Sequence, residues 1–155
     1  MIRSPAMLPV LLLINRLAVG WYFVSVGWAK VGMEWSGGLG TFYSGEGFQE
    51  RTPDWLPAFV AAPYGYALPW TELLFGLLLM LGLFGRLTAG VLTLLSASIA
   101  IALAGAGELL PSHHVMLFIT LSVTLWVLGP GRYSLDAALL HRRRAVAATN
   151  PASQV

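Results

Sequence analysis

The chain is a succession of long apolar stretches divided by polar segments. A helix needs about 20 mostly apolar residues to cross the hydrocarbon core of a bilayer. Stretches of about this length cover residues 7–31, 67–84, 87–107 and 113–128. The pattern predicts an all-α integral membrane protein, built as a four-helix transmembrane bundle with a long outer loop between helices 1 and 2. We expect a single domain over residues 1–144 and a disordered tail over residues 145–155.

The connections between these stretches differ in length. The second and third stretches are separated only by Gly85 and Arg86, so their helices are expected to be antiparallel neighbours. Residues 32–66, between the first and second helices, are rich in glycine and aromatic side chains. Tryptophan and tyrosine favour the membrane–water interface, and long structureless loops are uncommon in compact domains. We therefore expect residues 54–62 to form a short interfacial helix.

Composition supports a membrane protein. Apolar residues make up 57% of the chain and charged residues 10%, against roughly 45–50% and about 25% in soluble globular proteins. The mean hydropathy of +0.72 agrees, so a soluble domain is excluded and the lipid bilayer is the first expected partner. Net charge is only +2, and the cations do not share one polar face, which excludes a nucleic-acid binder.

Cysteine is absent from the sequence, which excludes disulfide exchange, iron–sulfur ligation and covalently attached haem within this chain. His113, His114 and Met116 are residue types that could ligate copper. Adjacent side chains do not face the same way on a helix, however, so the histidine pair is a poor metal site. We expect no metal and no intrinsic cofactor.

The distribution of arginine and lysine predicts the orientation. With the N-terminus inside, six cations lie at the inner ends of the helices: Arg3, Arg86, Arg132, Arg142, Arg143 and Arg144. The outer side then carries Lys30 and Arg51. Because cytoplasmic loops carry the excess of positive charge, both termini are expected in the cytoplasm. The first stretch is too long for the apolar core of a cleaved signal peptide.

An ionisable residue inside a membrane span is costly and marks a functional or structural site. Arg16 lies nine residues into the first helix, about 13 Å at 1.5 Å per residue. It shares one helix face with Gly20, Phe23, Gly27 and Lys30. Asp136 is the only acidic residue that the predicted topology places on the inner side. We therefore expect a structural ion pair between Arg16 and Asp136. Direct contact of Arg16 with a substrate is the alternative.

A second polar group is expected in the outer layer of the membrane. The topology places six side chains there: Lys30, Glu72, His113, His114, Trp28 and Trp70. One interpretation is a structural Lys30–Glu72 pair that joins the first two helices. The other is a ligand or proton site covered by the aromatic loop, in which a histidine moves a proton.

Three stretches carry a resemblance to a known family: NRLAVGWYFVSVGWAKVG, ALPWTELLFGLLLMLGLFGRLTA and GPGRYSLDAAL. In this order they resemble the DoxX family of small four-helix bacterial membrane proteins. The resemblance covers most of the chain apart from the outer loop and the last dozen residues. The matching positions are Arg16, Gly20, Gly27, Lys30, Pro69, Glu72, Gly76, Gly82, Arg86, Arg132 and Asp136.

The resemblance implies a multi-pass protein of the bacterial inner membrane and leaves its function open. Family members resemble subunits of thiosulfate:quinone oxidoreductase or partners in oxidative-stress membrane complexes. The resemblance thus leads us to expect a subunit of a quinone-dependent oxidoreductase, with an exchangeable quinone and with other membrane or periplasmic subunits as partners. An accessory subunit without chemistry of its own is the alternative, and a small-solute transporter is a third. Fold transfers better than function, so catalysis and homo-oligomer formation stay open.

Overall fold

A computed structural model describes residues 7–141 of the chain. Six helices follow one another: α1 (Met7–Gly37), α2 (Thr41–Ser44), α3 (Glu46–Gln49), α4 (Ala58–Leu81), α5 (Gly85–Gly105) and α6 (Leu109–Leu128). Residues 135–141 are also helical. The helices α1, α4, α5 and α6 are long and apolar enough to cross a membrane. No strand occurs between residues 7 and 141, and the predicted all-α four-helix bundle is confirmed. The expected tail at residues 145–155 lies outside the described residues.

The helix ends differ from the predicted stretches around the long loop. α1 continues past residue 31 to Gly37, and α4 begins at Ala58. The separate interfacial helix expected over residues 54–62 is not formed, because residues 58–62 are the first turns of α4. The prolines Pro63 and Pro69 lie inside α4, although proline in a sequence usually indicates a loop or a helix end. The loop proper is therefore residues 38–57, and it contains α2 and α3.

The four long helices form two closely packed pairs. α1 packs along α4 and α5 packs along α6, while the pairs contact each other less. Glycine sets the α1–α4 distance: a Cβ on Gly27 would lie 2.5 Å from the backbone nitrogen of Leu73, and one on Gly76 would lie 2.8 Å from that of Val24. These two backbones are thus in direct contact, as small residues permit between membrane helices. The expected neighbours α4 and α5 do meet, over a smaller interface than either pair.

Apolar and aromatic side chains join the two pairs. The buried core consists of Leu12, Val19, Phe23, Leu68, Leu79, Ala89, Leu92, Leu95 and Leu125. Tyr22 of α1 stacks on Phe118 of α6 with ring centroids 3.8 Å apart. The hydroxyl groups of Tyr64 in α4 and Ser98 in α5 lie 2.7 Å apart. Since the Ser98 hydroxyl donates to the carbonyl of Leu95, Tyr64 is the donor to Ser98.

The segment after α6, residues 129–136, fastens one end of the bundle, and we call it the clasp. The Asp136 carboxylate accepts hydrogen bonds from the backbone N–H groups of Phe84 at 3.0 Å and Gly85 at 2.8 Å. The backbone N–H of Asp136 donates to the carbonyl of Gly82 at 3.1 Å. The first N–H groups of a helix lack intrahelical partners and favour negative charge. Asp136 therefore caps α5 from outside the α4–α5 turn.

Arg16 is bound by the same clasp, but the predicted direct ion pair with Asp136 is not formed. The Arg16 side chain is buried, and its guanidinium donates to the carbonyls of Pro130 at 3.1 Å and Tyr133 at 2.8 Å. Gly82 leaves room for it, since a Cβ there would lie 2.5 Å from Arg16 Nη1. The oxygens of Asp136 are already engaged by the start of α5. The two charges thus make separate contacts in one clasp.

Candidate functional site

A partly buried lysine and a buried glutamate form an ion pair between α1 and α4, which we call the ion-pair site. Lys30 Nζ donates to Glu72 Oε1 at 2.7 Å, and the two side chains are 18% and 1% exposed. Gly27, one turn before Lys30, brings the helices together at this level. A Cβ on Gly27 would lie 3.1 Å from the carbonyl carbon of Glu72. The close approach of the backbones thus places the opposite charges in contact.

The second oxygen of the Glu72 carboxylate has no hydrogen-bond partner among residues 7–141. Glu72 Oε2 is buried, and Lys30 engages only Oε1. A carboxylate has about four lone-pair positions, so the pair with Lys30 leaves most of its accepting capacity unused. An unsatisfied buried polar group costs about 1–3 kcal/mol, and more if it is charged. Glu72 Oε2 is therefore a point where a hydrogen-bond donor would be stabilising.

Aromatic side chains of the loop cover the lysine. The ring of Phe42 in α2 lies over the ammonium group of Lys30, with Nζ 5.0 Å from the ring centroid. Phe42 meets Phe48 of α3 edge to face at 5.4 Å, and Phe48 lies 6.5 Å from Tyr64 of α4. A cation within about 6 Å of an aromatic face is attracted to it. The loop thus shields the ion pair and stabilises its positive charge.

A buried carboxylate at the end of α1 holds this cover in place. Glu34 Oε1 accepts a hydrogen bond from the backbone N–H of Phe42 at 2.9 Å, and Oε2 accepts one from that of Gly40. Gly40 has a φ of +93°, and its Cα faces the ring of Tyr66. Glu34 was not among the site residues predicted from the sequence. The sequence does contain a signal for this role: an acidic residue lies close to a glycine-rich turn. The unpaired backbone N–H groups of such a turn need acceptors.

An exposed ion pair attaches the far part of the loop to the α5–α6 connection. Arg51 Nη2 lies 2.7 Å from Glu108 Oε1, and Arg51 Nη1 donates to the carbonyl of Gly47 at 2.7 Å. Both charged side chains are about one-third or more exposed. Exposed pairs contribute about 0–1 kcal/mol. This contact therefore positions the loop without adding much stability.

Two family models match the chain. The DoxX family model matches residues 11–106. The chain belongs to the DoxX family. A second model, described as TQO small subunit DoxD, matches residues 66–151. Curated proteins and solved structures give no match to the chain.

The DoxX match contains both residues of the ion-pair site. The other four side chains predicted for the outer layer lie outside this site. Trp28 and Trp70 are exposed, and each is two residues from its charged neighbour, on nearly the opposite face of its helix. His113 and His114 are also exposed, because the buried Ser112 sets the inward face of α6. The structure thus brings together Lys30 and Glu72 and leaves the other four outside the site.

The ion-pair site offers hydrogen-bonding and proton chemistry. Within residues 7–141 no group of three histidine, aspartate or glutamate side chains is placed to hold a metal ion. A carboxylate with a free oxygen accepts a hydrogen bond when ionised and donates one when protonated. Lys30 compensates the negative charge, and the phenylalanine rings of the loop supply apolar walls. The arrangement can therefore hold a hydrogen bond or a proton beside a compensated charge.

Proposed function

We propose that this chain is a membrane subunit of a quinone-linked redox complex and that the ion-pair site holds the polar head of the quinone or quinol. The observation that carries the proposal is the Glu72 carboxylate, with one oxygen on Lys30 and the other buried and unpartnered among residues 7–141. The match to a family described as TQO small subunit supports the redox setting. We take TQO to denote thiosulfate:quinone oxidoreductase, to which the sequence resemblance also points.

In this proposal Glu72 handles the hydrogen bond and the proton, and another subunit handles the electrons. Ionised Glu72 accepts a hydrogen bond from a quinol hydroxyl, and protonated Glu72 donates one to a quinone carbonyl. Reduction of a quinone to a quinol consumes two electrons and two protons. The electrons come from a reduced sulfur compound oxidised on the partner subunit. Both protons come from solvent, and one of them is relayed by Glu72, which takes it up and returns to the carboxylate form after passing it on. Lys30 balances the charge of this carboxylate between turnovers.

The exposed residues of the outer layer have a smaller part in this proposal. Trp28 and Trp70 suit the membrane–water interface, where indole rings are favoured. His113 and His114 are solvated polar residues near the start of α6. The ligand contacts therefore come from Lys30 and Glu72, with Phe42 as the apolar wall that closes the site.

An accessory subunit without chemistry of its own is the second candidate. It is favoured by the short distance between Lys30 and Glu72, because an ion pair at 2.7 Å joins α1 to α4 without any ligand. In this case the loop cover keeps water from the pair, and the complex depends on the chain as a scaffold. The two candidates differ in what removal of the Glu72 charge does.

The test is the bound quinone of purified Glu72→Gln protein, measured after solvent extraction, together with its thermal unfolding. Glutamine keeps the size of the side chain and an oxygen for Lys30. We expect a strong loss of bound quinone, and the double variant described next separates this loss from any loss of stability caused by the unpaired charge of Lys30. His113→Ala, an exposed change, is the matched control and should keep its quinone.

A double variant separates ligand loss from a stranded charge. Lys30→Met combined with Glu72→Gln removes both charges, so no uncompensated lysine remains. The proposal expects this protein to stay folded and to lack quinone. Normal quinone content in Glu72→Gln, with a loss of stability that the double variant restores, would favour the accessory subunit.

A further inference from the structure

An open groove lies between the start of α5 and the end of α6, at the clasp end of the bundle. Arg86, Trp126 and Val127 line it, and its volume is about 400 Å³. Arg86 is the second residue of α5, and Val127 is the last but one of α6. Membrane helices end near the lipid headgroups. The groove therefore lies at the boundary between hydrocarbon and water.

The polar wall of the groove is a guanidinium with spare donors. Arg86 Nη2 donates to the carbonyl of Val127 at 2.7 Å, which occupies one of its five N–H groups. No carboxylate of the described range lies within ion-pair distance of Arg86; the ion pairs there are Lys30–Glu72 and Arg51–Glu108. The side chain is exposed. The bond to α6 orients the guanidinium and leaves its charge available to an anion.

The apolar wall is the indole ring of Trp126. This ring is about half exposed, and Gly90 lies beside it: a Cβ on Gly90 would be 3.5 Å from two atoms of the ring. Gly90 is one turn along α5 from Arg86, in the direction of the membrane interior. The missing side chain leaves room next to the indole. An apolar surface thus continues from the guanidinium towards the hydrocarbon core.

We propose that this groove binds one anionic phospholipid, with Arg86 on the phosphate and an acyl chain against Trp126. The two walls of the groove follow the same order in depth as the parts of a phospholipid. The cation lies at the level of the headgroups, and the apolar surface lies deeper, at the level of the acyl chains. Arginine recognises phosphate through several parallel N–H donors, and basic pockets between membrane helices bind lipid headgroups. Free phosphate would use Arg86 but not the indole wall. The site is separate from the ion-pair site.

The experiment is native mass spectrometry of the delipidated protein with added phosphatidylglycerol or phosphatidylcholine of the same chain length. We expect one tightly retained phosphatidylglycerol. Arg86→Gln should lower its retention about fivefold, the contribution of one basic residue near an anionic lipid. Arg132→Gln, at an exposed position of the clasp, removes the same charge and should leave retention unchanged.

A second variant tests the apolar wall with Arg86 intact. Gly90→Leu places a side chain beside Trp126 and improves helix propensity, so it should fold and should also lower retention. The proposal is overturned if Arg132→Gln acts like Arg86→Gln, because binding is then diffuse attraction. It is equally overturned if phosphatidylcholine binds as well as phosphatidylglycerol, if inorganic phosphate displaces the lipid, or if Gly90→Leu retains it fully.

Discussion

Replacement of Gly27 by alanine tests the direct backbone contact beside the ion-pair site. The added Cβ would lie 2.5 Å from the backbone nitrogen and 2.9 Å from the Cα of Leu73. Non-bonded heavy atoms favour about 3.5–4.0 Å, so α1 and α4 must separate by roughly 1 Å at this level. The obstructing atoms belong to the backbone and cannot rotate away. Overpacking of this kind costs about 1–3 kcal/mol of unfolding free energy.

The same helix supplies a matched control. Gly32 lies five residues further along α1, is exposed, and has no atom within 4 Å of an added Cβ. Alanine gains about 1 kcal/mol of helix propensity over glycine at either position. The difference between Gly27→Ala and Gly32→Ala therefore isolates the packing effect. We expect Gly27→Ala to be about 1–3 kcal/mol less stable than Gly32→Ala.

The assay is unfolding of both variants and the parent in detergent micelles titrated with sodium dodecyl sulfate, followed by circular dichroism. Gly32→Ala should unfold at the same or a higher denaturant fraction than the parent, and Gly27→Ala at a lower one. Equal midpoints for the two variants would refute backbone contact at Gly27. They would also remove the physical reason given for the 2.7 Å distance between Lys30 and Glu72.

Two further predictions concern the clasp and the orientation. Asp136→Ala removes the cap of α5 and should cost about 0.5–2 kcal/mol, measured by thermal unfolding. Asp136→Asn, which keeps one acceptor oxygen, should lose less, and equal losses would contradict the capping role. Cysteines introduced at Ser44 and Ser153 should react with a membrane-impermeant thiol reagent from opposite sides, with Ser44 outside. Reaction of both from one side would contradict the orientation predicted from the arginine and lysine distribution.

The bundle itself follows from local properties of the sequence. Helix number depends on the length and polarity of apolar stretches, because lipid offers no partners for backbone N–H and C=O groups. The shared face of Arg16, Gly20, Gly27 and Lys30 depends only on helical periodicity. Both kinds of information are contained in short segments. The start of α4 was missed because Pro63 lies in the segment predicted as a loop, whereas in the structure α4 continues through it from Ala58.

The partners of the charged groups were harder to predict. The opposite charges of Arg16 and Asp136 were the reason to predict an ion pair. In the structure two backbone carbonyls bind Arg16, and two backbone N–H groups bind Asp136. Every residue has a backbone carbonyl and every residue except proline has an N–H, so sequence cannot show which of these groups lack partners at helix ends. The prediction from membrane depth also assigned too many residues to the site. Depth placed His113, His114, Trp28 and Trp70 near Lys30, and rotation about each helix axis separates them from it.

The sequence by itself determined that the chain crosses a membrane as four helices, which face of α1 is polar, and that Lys30 and Glu72 are at similar depth. Hydropathy and helical periodicity decide these features within one helix at a time. The tertiary structure alone decided that Glu34 holds the loop over the ion pair, that the clasp binds Arg16 and caps α5, and that Glu72 keeps one oxygen free. These features depend on how closely separate helices and loops approach each other. That distance is set by packing between segments that lie far apart in the sequence, so it cannot be predicted from any single segment.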